Sequence, residues 1–87
     1  MTNRVKRLKN AVESYKAEIE KHFEKLDKEI LENDEILARY HIKEIDKSLI
    51  VALEHKIMLL GMEEENSELI KKYKKRLQEY RKKLGME

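Results

Sequence analysis

The sequence predicts an all-α protein, and three observations predict it. Its 87 residues contain no proline and two glycines, the second of them third from the end, so little in the chain can break a helix. Charged residues make up 44% and hydrophobic residues 40%, a balance suited to helices that bury one stripe and solvate the rest. Apolar positions recur at spacings of three and four through most of the chain, the period of one helix face. Short connections between helices make antiparallel neighbours. The expected architecture is therefore one small three-helix antiparallel bundle over residues 1–87, with coiled-coil-like packing and helices near 3–32, 35–60 and 64–84.

The first helix shows its stripe at Val5, Leu8, Val12, Tyr15, Ile19, Phe23, Leu26 and Ile30. Thr2 or Asn3 serves as its N-cap. Opposite charges four apart, Lys16 with Glu20, Glu24 with Lys28, Lys25 with Glu29 and Lys28 with Glu32, support a solvated face at a few tenths of a kcal/mol each.

Asn33 and Asp34 form the only polar pause before the middle third, and Asp34 is a competent N-cap for a helix starting at Glu35. No glycine or proline enforces a break there. An unbroken helix to Gly61 would run about 85 Å at roughly 1.5 Å per residue, more than the last third could cover, and would have to bury its stripe in a second copy, so a turn at 33–34 is the favoured of the two readings. Ile42, Ile45, Leu49 and Leu53 continue the stripe, and from Leu49 to Met62 apolar residues go around the whole helix. A helix that is hydrophobic on all sides is buried on all sides. This segment is thus expected at the centre of the molecule or of an oligomer, with Leu49, Ile50, Leu53, Ile57 and Leu60 as the apolar contact or core set. Three helices can cover about one stripe each, so Leu59, Val51 or Met58 should stay outside a monomer and drive association, most simply as a two-fold homodimer or onto another protein. Gly61 stands where a left-handed C-terminal cap belongs, with Met62 as its hydrophobic contact.

The third helix opens on Glu63, Glu64 and Glu65 at its positive end. Its stripe is Leu69, Ile70, Tyr73, Leu77, Tyr80 and Leu84, a heptad-like seam. Around it lie Lys71, Lys72, Lys74, Lys75, Arg76, Arg81, Lys82 and Lys83, and Gly85 ends it.

The net charge of +2 conceals a basic, acidic, basic order: residues 1–9 hold four bases and no acid, residues 10–68 eight bases against 16 acids, and residues 69–87 eight bases against two. In an up-down-up bundle the basic end of the third helix comes near Glu29, Glu32, Asp34 and Glu35, and the basic start of the first near Glu63 to Glu65, so part of this order is internal counter-charge. The alternative is a nucleic-acid surface on the third helix, joined by Arg4, Lys6 and Arg7, where phosphates would relieve like charges four apart.

Catalysis and metal binding find no support in the residues. Without cysteine there is no disulfide, thiolate metal site or thiol nucleophile, and a cytoplasmic setting is the simple reading. No apolar run reaches the roughly 20 residues of a membrane span, and the basic start leads into no signal-peptide h-region. Ser14, Ser48 and Ser67 have no paired histidine, and no glycine-rich phosphate loop is present. His22 and His41 offer two-ligand pairs at most, with Glu18 and Glu44, and no Glu-x-x-His motif occurs. The expected function is non-enzymatic: a small regulatory or adaptor protein without cofactor or metal, acting through an apolar helical surface.

Overall fold

A computed structural model describes residues 2–86. Helix α1 spans Thr2–Leu31, α2 Glu35–Glu44, α3 Ile50–Leu60 and α4 Glu63–Lys83, with no strand among the described residues. Between α2 and α3, residues Ile45–Leu49 form one π-helical turn, so α2, the π turn and α3 make a continuous middle helix. The molecule measures 48 × 20 × 15 Å.

Each helix ends in the same way. Asn33, Gly61 and Gly85 take φ values of 59°, 66° and 64°, and each is followed by an amide that reaches back five residues: Asp34 to the Glu29 carbonyl, Met62 to Ile57 and Met86 to Arg81. This is the Schellman arrangement, which satisfies carbonyls that have no partner within the helix. Asparagine tolerates the left-handed region well enough to stand where glycine stands elsewhere. Asp34 then caps the next helix, its carboxylate accepting the Leu37 N–H at 3.3 Å. A Cβ at Gly61 would touch nothing within 4 Å, so the cost of Gly61→Ala is purely conformational. That variant is expected to lose about 1 kcal/mol, read as a lower urea midpoint with an unchanged slope.

Contacts between helices set the topology. His22 pairs with Glu44 and His41 with Glu29, so α1 runs antiparallel to the middle helix. Lys74 pairs with Glu54 and Arg81 with Asp46, so α4 does the same, and Arg76 meets both Glu20 and Asp27 of α1, with which α4 runs parallel. The result is an up-down-up three-helix bundle. Val12, Ile19, Phe23 and Leu26 of α1 enclose the core with Tyr73, Leu77, Tyr80 and Leu84 from the last helix and its cap. The middle helix supplies Ala38, Ile42, Ile45, Ile50, Leu53 and Ile57.

The π turn follows from that last set. Ala38, Ile42 and Ile45 keep helical spacing, as do Ile50, Leu53 and Ile57, but Ile45 and Ile50 are five apart. An α-helix would turn Ile50 well away from the core. One wide turn, with the Ile50 N–H donating to the Ile45 carbonyl, brings it back. The stripe read through Leu49 is corrected accordingly: it passes from Ile45 to Ile50, and Leu49 is half-buried.

Candidate functional site

Ile50, Leu53 and Ile57, expected as contact or core residues, point into the chain's own core, with Leu49 and Leu60 half-buried against it. They pack against α1 and α4 and are not available as a surface. The segment expected to be buried on all sides is thus buried on one, and its remaining apolar residues face out: Val51 is 56% exposed, Met58 56% and Leu59 47%.

These three belong to a longer outer stripe. Ile36, Tyr40, Lys43, Lys47, Val51, His55 and Met58 recur every three or four residues along the face opposite the core, and all are exposed. Ile36 is 85% exposed, with Leu37 and Tyr40 beside it. The middle helix therefore presents an apolar group at each end and two lysines between them. The end at α2 was not anticipated from the sequence. Its signal was available in Ala38, Ile42 and Ile45, whose burial leaves Ile36 and Tyr40 on the opposite side. At the other end, α1 and α3 frame an open groove of about 530 Å³ whose lining includes Arg4, Val5, Leu8, Lys9, Leu59 and Glu65.

Glu44, Asp46 and Glu54 of the middle helix turn toward α1 and α4, while Glu35 is exposed and meets Arg39 of its own helix at 3.9 Å. Glu44 meets His22 Nε2 at 2.5 Å, while His22 Nδ1 donates to the Glu18 carbonyl at 2.8 Å. Asp46 accepts from Arg81, and Glu54 accepts from Lys74 at 3.4 Å. His41 Nδ1 lies 2.8 Å from Glu29, which is buried and does not sit on the solvated face expected for its pairing with Lys25. The two histidine rings stand edge to face at 5.7 Å. Among the described residues these carboxylates and imidazoles form separate pairs, and no three gather as a metal centre would require.

The basic set of α4 divides in two. Arg76 lies 4.4 Å above the Phe23 ring, 3.7 Å from Glu20 and 3.4 Å from Asp27. With Lys74 on Glu54 and Arg81 on Asp46, the counter-charges are these acids rather than those around the α1–α2 turn. Lys71 lies 3.9 Å from Glu68 of its own helix, and Lys83 lies 5.9 Å from the Tyr80 ring. Lys72, Lys75 and Lys82 are exposed and have no carboxylate partner among the described residues.

Burial, reinforced by Glu20, pushes the Tyr73 phenol from its ordinary value of 10.0 up to about 12. Tyr80 is raised by burial and by Asp27, to which its hydroxyl donates. Tyr73 in the unfolded chain ionises from about pH 10 while the folded chain keeps its proton to about 12. The stabilisation is therefore complete below pH 10 and is lost as pH rises through that window, by roughly 1–3 kcal/mol. Unfolding midpoints at pH 9 and pH 11 are expected to differ less in Tyr73→Phe than in the parent.

Comparison with known protein families, curated proteins and solved structures finds no significant match, so the functional reading rests on these residues alone. No helix among the described residues is long and apolar enough to cross a membrane.

Proposed function

We propose that the chain is a non-enzymatic interaction module, a small cytoplasmic regulatory or adaptor protein that works by presenting the outer face of its middle helix. Its simplest form is a homodimer with coiled-coil-like packing across that face. The observation that carries this reading is the exposure of Ile36, Leu37, Tyr40, Val51, Met58 and Leu59 from one helix whose core side is already closed without them. Large apolar side chains left exposed in two groups on one helix face are a mark of a protein interface. Sedimentation equilibrium over a wide concentration range is expected to show the mass rising from one chain to two. Val51→Glu and Met58→Glu should each weaken association at least about tenfold, with helicity kept because both side chains lie outside the core. A constant monomer mass at every concentration would remove the dimer.

The unpartnered Lys72, Lys75 and Lys82 support a second reading, nucleic-acid binding by α4. The two readings separate by salt, because phosphate neutralisation weakens steeply as salt rises and apolar association does not. On the primary reading, labelled duplex and single strands show no change in anisotropy at low salt. Salt-sensitive binding lost in Lys72→Gln/Lys75→Gln and kept in Met58→Glu would transfer the function to α4.

A further inference from the structure

We infer that the outer face of the middle helix selects an acidic amphipathic helix of another protein, one that carries two carboxylates in the middle of its apolar stripe. This rests on the interaction-module reading and names the chemistry of the partner. Ile36 and Tyr40 are exposed at one end of the face and Val51 and Met58 at the other, with Lys43 and Lys47 between them in the same line. From Ile36 to Met58 the ridge runs about 33 Å at roughly 1.5 Å per residue, long enough to lie along a helix of about six turns. An apolar group at each end anchors such a helix, and the lysines at the centre decide which helix it is.

The charges of this face cancel at its ends and not at its centre. Near Ile36, Glu35 meets Arg39 at 3.9 Å. Near Met58, Arg4 and Lys9 share their groove with Glu65, which Glu63 and Glu64 precede at the start of α4. Between the ends, Glu44 is held by His22 and Asp46 by Arg81. Lys43 is exposed with no carboxylate partner among the described residues, and Lys47 lies 4.0 Å from Asp46, whose carboxylate Arg81 already occupies. Tyr40, Lys43, Lys47 and Ser48 line a shallow hollow of about 290 Å³ together with Glu44. Two ammonium groups and two hydroxyls can donate there, and carboxylates three or four residues apart on a facing helix match lysines one turn apart. A second copy covers the apolar ends but brings no acid to these lysines, so it is the weaker occupant. A bilayer suits a helix whose cations flank the apolar stripe; here the lysines interrupt it, and sinking its ends into acyl chains would draw both ammonium groups after them.

The test uses the full chain and a fluorescein-labelled peptide of about six helical turns. Its framework is alanine and glutamine, and its stripe, spaced three and four apart, reads two leucines, two glutamates and two leucines. Anisotropy is expected to rise as the parent chain is added, and excess peptide to return any dimer to single chains. Lys43→Glu/Lys47→Glu should weaken peptide binding at least about tenfold, and a peptide with lysine in place of both glutamates should bind that variant and not the parent. Met58→Glu should lose the glutamate peptide with both lysines in place. Circular dichroism on each variant verifies that the fold is kept, as all three side chains lie outside the core. A parent chain that dimerises but ignores the peptide, or binds equally a peptide with glutamine in place of glutamate, overturns the acidic partner and leaves the interaction module standing. Sedimentation of the parent with phosphatidylserine-containing vesicles, without peptide binding, assigns the face to lipid and overturns it too. A parent chain that neither dimerises nor binds the peptide overturns both readings.

Discussion

Phe23→Ala is expected to destabilise the bundle by about 3–5 kcal/mol, a large part of the roughly 5–15 kcal/mol that holds a small protein together. Phe23 is wholly excluded from solvent. The Tyr80 ring stacks on it at 5.8 Å between centroids, the Tyr73 ring tilts against it at 5.9 Å, and the Arg76 guanidinium lies over it. Truncation therefore leaves a cavity where α1 meets α4, and it removes the surface on which Arg76 rests between Glu20 and Asp27. Thermal unfolding followed by circular dichroism should show the midpoint falling by more than roughly 15 °C. Phe23→Leu, which keeps most of the volume, should recover the greater part of the loss.

The second large effect is expected at His41. Its Nδ1 lies 2.8 Å from Glu29, and the two side chains are only 14% and 11% exposed. His41→Leu keeps the apolar bulk but leaves the Glu29 carboxylate buried without this partner, at a cost of roughly 2–3 kcal/mol. Replacing both residues, as Glu29→Leu/His41→Leu, removes the stranded charge together with its partner and should return stability to within about 1 kcal/mol of the parent. Denaturant unfolding of the two single variants and the double variant closes the cycle. Additive losses in the double variant would mean that the two side chains do not act as a pair.

The sequence by itself determined the helical class and the glycine caps, and it favoured a turn at Asn33–Asp34 over one unbroken helix. These are local matters: the absence of proline, an aspartate that can take a backbone amide, and residues that tolerate positive φ all act within a few residues of themselves. It also determined that some of Val51, Met58 and Leu59 would be left outside, because counting stripes against helices needs no coordinates. What only the tertiary structure decided is which apolar residues of the middle helix face in. The skip from Ile45 to Ile50 reads as a stripe through Leu49 until α1 and α4 demand a common buried face, and the π turn that answers this demand carries Ile50, Leu53 and Ile57 inward. Only packing could assign the charges too. The pairing of Arg76 with Asp27, of Arg81 with Asp46 and of Glu29 with His41 joins residues distant in sequence, whose meeting depends on how the helices lie against one another. Ile36 and Tyr40 emerge as surface for the same reason, since a face becomes exposed only once its opposite has found a partner.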